Sequence, residues 1–222
     1  MYYEGSIEDI TARKQGEEAL RFQQEQTERL LLNILPSPIA ERLKFQENTI
    51  ADSFAEVTVL FADIVNFPEI ASQTSPTELV KLLNKIFSLF DQLADQYQLE
   101  KIKTIGDAYM VVGGLPIPRE DHAEAIAEMA LDMQALISKF QTLDGEPFRL
   151  RIGINTGPVV AGVIGIKKFI YDLWGDTVNI ASRMESHGIT GGIQVTDTTY
   201  QILQGKYLNS VELSRLKANE IC

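Results

Sequence analysis

Val57-Thr-Val-Leu-Phe-Ala-Asp-Ile-Val-Asn-Phe67 is an apolar, β-branched run with a single acidic residue, Asp63, close to its end. Such a run reads as a buried strand, Val57 to Ile64, that delivers its aspartate to the strand end. Lys103-Thr-Ile-Gly-Asp-Ala-Tyr-Met110 does the same for a second aspartate: two short apolar runs between residues 101 and 113 enclose Gly106-Asp107, a hairpin signal that puts Asp107 at the turn. The dipeptide is reversed from the favoured hairpin order. Each segment alone fits a buried strand with a solvated aspartate. Together, two such carboxylates can hold divalent metal ions.

Outward from these strands the chain alternates helix and strand patterns. Ser75-Pro-Thr-Glu78 opens a helix with a cap, a proline at the first helical position and a glutamate three residues after the cap. Leu79, Leu82, Leu83, Ile86, Phe87, Phe90 and Leu93 then recur at helical spacing to about Gln98, a core-facing stripe. Asp121 to Phe140 reads as a second amphipathic helix, with His122 near its start as a capping or surface residue. Leu150 to Ile154 and Val159 to Ile164 read as two strands joined through Asn155-Thr-Gly-Pro158, and Ala161 and Gly162 are small enough to admit a neighbouring backbone. Asp176 to Ser186 reads as a helix with a left-handed stop at His187-Gly188, followed by a strand, 192–196, and a helix, 197–203. Strands interleaved with helices, one hairpin included, predict an α+β sandwich with mixed pairing.

The 222 residues suit one domain with an appendage, and 45% apolar with 23% charged residues is a soluble globular composition. A net charge of −11 argues against non-specific nucleic-acid binding, although metal ions and a few local cations can hold a triphosphate on an acidic protein. The one cysteine, Cys222, excludes an internal disulfide framework. No apolar run is long enough for a membrane span and the N-terminus lacks a signal-peptide pattern, so a cytoplasmic location is expected.

A third segment, Tyr171-Asp-Leu-Trp-Gly-Asp-Thr-Val-Asn-Ile-Ala-Ser-Arg-Met-Glu185, follows the first two at an informative spacing. The three together resemble, in order and spacing from about Phe54 to Tyr207, the class III nucleotidyl cyclases. The resemblance implies a ferredoxin-like βαββαβ core, the palm-like cyclase fold, with an N-terminal helical linker. It implies two Mg²⁺ or Mn²⁺ ions per site on Asp63, Asp107 and the carbonyl of Ile64, and triphosphate contacts from the amides of Ile64, Val65, Asn66 and Phe67. Lys103 and Asp172 match the purine-selecting pair in its adenine form, Asn179 the ribose-orienting residue, and Arg183 the residue that stabilises the pentavalent phosphorus. Asn66 stands where the family often has glycine and Pro68 where threonine is frequent; asparagine tolerates the positive φ, whereas Pro68 removes a donor. Because both halves of the site are on one chain, the resemblance implies a head-to-tail homodimer. The expected activity is adenylate cyclase: ATP to 3′,5′-cyclic AMP and pyrophosphate. The alternatives are a cyclase-like regulatory or dimerisation module without turnover, and a guanylate cyclase.

Residues 1–16 resemble the C-terminal end of a PAS sensor domain, which implies regulation by an upstream sensor in a larger parent. Residues 17–50 read as a signalling helix and linker. Leu20, Thr27, Leu30 and Ile34 are compatible with a heptad seam, and Pro36 and Pro38 interrupt the helix. The cyclase domain is expected over 51–208. Residues 209–222 form an atypical or truncated tail, in which the usual basic, glycine-rich hairpin has no counterpart and Lys217 cannot be aligned to its lysine.

Overall fold

The computed structural model describes residues 9–45, 50–142, 145–165, 169–207 and 216–218. The chain divides into two compact units at Asn48/Thr49. The first holds α1 (Thr11–Leu32) and α2 (Ser37–Lys44). Helix α1 starts earlier than the expected Glu17, so residues 11–16 of the stretch assigned to the sensor's exit are helical; residues 1–8 lie outside the described residues. Pro36 is the N-cap of α2, which separates the two helices as the proline pattern predicted. Lys44 ties them, its Nζ donating to Glu28 at 2.6 Å and Glu41 at 2.9 Å. Leu20, Leu30 and Ile34 of the expected seam are exposed.

In the second unit the elements run β1 (Ile50–Ile64), α3 (Phe67–Gln73), α4 (Pro76–Tyr97), β2 (Glu100–Ile105), β3 (Ala108–Gly113), α5 (His122–Ile137), β4 (Leu150–Ile164), β5 (Ile170–Trp174), α6 (Asp176–Ser186), β6 (Ile193–Val195), α7 (Asp197–Tyr207) and β7 (Leu216–Ala218). The sheet order is β2-β3-β1-β4-β6-β7, with β5 pairing β4. Its antiparallel portion β2-β3-β1-β4, with α4 and α5 as crossovers, is the expected ferredoxin-like core. Leu60, Ala62 and Ile64 of β1 and Leu150, Ile152 and Ile154 of β4 face Ile86, Phe90 and Ala94 of α4 and Ile126, Met129, Met133 and Ile137 of α5. Helix α6 lies on the opposite face, where a Cβ at Gly153 would stand 2.1 Å from the Glu185 backbone nitrogen. Ser75 caps α4 as predicted, accepting from the Glu78 amide at 3.4 Å.

Several expectations change. The two strands expected over 150–164 are one, β4, and the turn-like Asn155-Thr-Gly-Pro158 lies inside it. Phe54 pairs with Val159 and Val57 with Gly157, so two residues of β1 face the single Pro158 across a bulge, where its missing N–H costs no ladder bond. The close approach foreseen at Gly162 is real: a Cβ there would lie 2.4 Å from the Ile50 carbonyl oxygen. His122 is neither a cap nor on the surface. Asp121 is the N-cap, and His122 is buried with Nδ1 2.7 Å from Thr58 Oγ1. The stop after α6 is not left-handed, since His187 has φ −97° and Gly188 stays out of the positive-φ region. Residues 216–218 of the expected tail extend the sheet, parallel to β6.

Candidate active site

Asp63 is the penultimate residue of β1, and Asp107 follows Gly106, whose φ of +63° closes the β2–β3 hairpin. The hairpin is anchored from below by Tyr109, which is buried edge-on against Phe90 at 5.5 Å and donates from its hydroxyl to Asp91 at 2.7 Å. The sheet order β2-β3-β1 sets the turn beside the end of β1, so the two carboxylates meet. Burial, and then the like charges of Asp107 and Glu185, push the Asp63 carboxyl up to about 7 against the pull of Arg151. A pair of carboxylates that resists joint ionisation is a donor set suited to a hard cation. Among the described residues no cluster of three or more His, Cys, Asp or Glu side chains could hold a metal. What fits the expected metals is the chemistry of the donors, two neighbouring carboxylates of the kind hard divalent ions take.

Arg151 and Glu185 escaped the sequence reading. Arg151 Nη2 donates to Asp63 Oδ2 at 3.1 Å and its Nε to Glu185 Oε1 at 2.8 Å, which links β4, β1 and the end of α6. The available signal was an arginine between Leu150 and Ile152 in a strand with an otherwise buried run, which requires a charge partner. The partners are remote in sequence, so no local pattern names them.

Asn66 adopts φ 60° and ψ 26°, the left-handed conformation expected of it, and turns the chain from β1 into α3. Its carbonyl accepts from the amides of Glu69 and Ile70. The Val65 amide, expected to face phosphate, instead donates to the Arg149 carbonyl at 3.0 Å. Of the expected phosphate-facing amides, those of Asn66 and Phe67 lie at this turn.

Lys103 on β2 and Asp172 on β5 come together although their strands are not neighbours in the sheet: Lys103 Nζ is ion-paired to Asp172 Oδ2. The other oxygen, Oδ1, accepts from the Leu173 amide at 2.9 Å, which fixes the carboxylate plane. Asp172 lies inside β5. Asn179 and Arg183, four apart on α6, share a face. Both are exposed, and among the described residues neither side chain has a hydrogen bond or ion pair. The fold therefore assembles the two carboxylates and the Lys–Asp pair, and leaves the Asn179 and Arg183 side chains without polar partners among the described residues.

Comparison with known proteins gives a consistent family. Residues 49–221 match the adenylate and guanylate cyclase catalytic domain. An adenylate cyclase of Mycobacterium tuberculosis is 51% identical over 194 residues, 87% of this chain and 44% of that one. A membrane guanylyl cyclase of Dictyostelium discoideum is 46% identical over 186 residues, 83% of this chain and 12% of that one. The chain spans less than half the length of these relatives. Among solved structures, the catalytic core of a rhodopsin-guanylyl cyclase with converted specificity, in complex with ATPαS, aligns with a TM-score of 0.67 at 46% identity, covering 70% of this chain and 85% of that one. The adenylyl cyclase CyaB from P. aeruginosa aligns with a TM-score of 0.65 at 28% identity, covering 70% and 83%.

Proposed function

The chain belongs to the adenylate and guanylate cyclase catalytic domain family, and from that premise we propose that it cyclises ATP to 3′,5′-cyclic AMP with release of pyrophosphate. Relatives of both nucleotide classes match, so the choice of base rests on one observation, the pairing of Lys103 with Asp172. Adenine presents an acceptor at N1 and a donor at N6, which one ammonium and one carboxylate satisfy; guanine reverses donor and acceptor at the same two positions. The base must open the Lys103–Asp172 pair to take its place between them. The Leu173 amide holds the carboxylate in plane while it does so.

Asp63, Asp107 and the Ile64 carbonyl would hold two divalent ions, Mg²⁺ or Mn²⁺, whose chemistry is to acidify the ribose 3′-hydroxyl and neutralise the β- and γ-phosphates. Arg151 restrains Asp63 from the side of β4 and brings positive charge to the phosphate end of the site. The Asn66 and Phe67 amides donate to phosphate oxygens. Asn179 orients the ribose for in-line attack on the α-phosphorus, and Arg183 donates to the charge that grows there. A fixed donor of this kind contributes a few kcal/mol, about 100- to 1000-fold in rate. The Asn179 and Arg183 side chains are exposed and have no polar partner among the described residues, which supports a site completed by a second copy in head-to-tail register. An upstream sensor that acts through α1 and α2 is part of the same proposal. The test is to incubate the purified chain with ATP or GTP and Mg²⁺ or Mn²⁺ and identify products by chromatography. Cyclic AMP as the main product supports the assignment; a preference for GTP, or no cyclic product from either, rejects it.

A further inference from the structure

Helix α6 carries Asn179 and Arg183, yet its first turn has no side-chain N-cap. Its N-cap is Gly175, with no side-chain cap bond, and at eleven residues it is too short to stand alone. The hold comes from β4. Asn155 Nδ2 donates to the Thr177 carbonyl at 3.0 Å, and Thr177 Oγ1 donates to the Pro158 carbonyl at 2.7 Å. Thr196, just past β6, donates from Oγ1 to Asn155 Oδ1 at 2.8 Å and fixes the orientation of the amide. Asn155 and Thr177 are both buried. A Cβ at residue 157 would stand 2.7 Å from Thr177 Oγ1, so Gly157 leaves the room that the contact needs.

We propose that Asn155 and Thr177 form a strut that positions α6, and with it Asn179 and Arg183, for phosphoryl attack. The proposal rests on the cyclase reading above and names positioning residues that reading does not include. Thr177 stands two residues before Asn179 and six before Arg183 on the same helix. With no side-chain bond of their own among the described residues, the two donors are placed by the helix that carries them. Donors to a transition state must be held within about 0.5 Å, and a displacement of about 1 Å costs roughly 100-fold. The strut acts on transition-state contacts. The base-binding pair and the carboxylates sit on β1, β2, β5 and the hairpin turn, so substrate binding is left largely intact.

Thr177→Val removes the hydroxyl at constant shape, Thr177→Ser retains it, and Asn155→Asp keeps the acceptor for Thr196 while losing the donor to Thr177. Each is compared with the unsubstituted chain for kcat and KM with ATP and Mn²⁺, alongside thermal unfolding and dimer content. The valine and aspartate variants are expected to lose kcat about tenfold or more with KM within about threefold, and the serine variant to stay within about twofold of the unsubstituted chain. Thr196→Val, expected to lose kcat in the same selective way, replaces any variant that does not fold. If the unsubstituted chain turns over and the valine variant keeps its kcat, if the serine variant falls as far as the valine, or if the loss appears mainly in KM, the strut is overturned alone. Absence of turnover in the unsubstituted chain rejects the cyclase reading and the strut with it.

Discussion

Asp63 stands between Asp107 and Glu185, which favour its proton, and Arg151, which opposes it, and burial decides the balance towards a carboxyl that titrates near 7. The folded value lies above the unfolded one of 3.8, so the stabilisation tied to this proton is complete below that value and is lost as pH rises towards 7. A divalent ion competes with the same proton. Mn²⁺ is therefore expected to raise Tm more at pH 8 than at pH 5, and Asp63→Asn to remove most of that difference. Glu100, pushed up to about 7 by burial, follows the same metal-free trend, so the comparison with Asp63→Asn isolates the site. An equal Tm shift at both pH values, or one retained in Asp63→Asn, contradicts the assignment. At the other end of the site, Lys103→Glu with Asp172→Cys is expected to erode or reverse the preference for ATP over GTP, read as the ratio of kcat/KM values. An unchanged ratio would show that the pair does not select the base.

Among the described glycines, Gly153 leaves the least room for a Cβ, where α6 crosses β4. An added methyl meets backbone of α6 at 2.1 Å, which cannot rotate away, so Gly153→Ala is expected to cost about 2 kcal/mol or more and lower Tm by roughly 4–8 °C. Gly205 in α7 has nothing within 4 Å of a new Cβ, and Gly205→Ala is expected to stabilise by about 0.5–1 kcal/mol through helix propensity. Equal effects of the two in chemical denaturation would refute this reading of the packing. The same elements show what local sequence could reveal. The strand end at Asp63, the hairpin at Asp107 and the α4 stripe were legible because period, β-branching and turn chemistry are local. Asn155-Thr-Gly-Pro158 was misread as a turn because those residue types usually make one. Its real role depends on the bulge in β1 and on Thr177, which are distant in sequence. His122 was misplaced for the same reason, its partner Thr58 lying far away in sequence on β1. Of the candidate site, the motif residues could be read one by one, each with its place at a strand end, hairpin or helix. The Arg151 bridge, the commitment of the Val65 amide to Arg149 and the strut under α6 all arise from tertiary pairing.

At the scale of the whole molecule, the second unit carries on one chain the residues proposed to bind metal, select the base and stabilise the transition state, and the last of these, Asn179 and Arg183, are exposed. A site that needs two copies has a definite consequence: defects on opposite sides of it complement each other. Asp107→Ala and Arg183→Ala are each expected to be nearly inactive as homodimers. A mixed dimer has one site with both defects and one with neither. The most direct test of the account is to mix the two variants, confirm subunit exchange independently, and measure cyclic AMP formed from ATP. The account predicts that activity returns, towards about half of that expected per mixed dimer from two intact sites. Exchanged dimers that remain as inactive as either parent would contradict it.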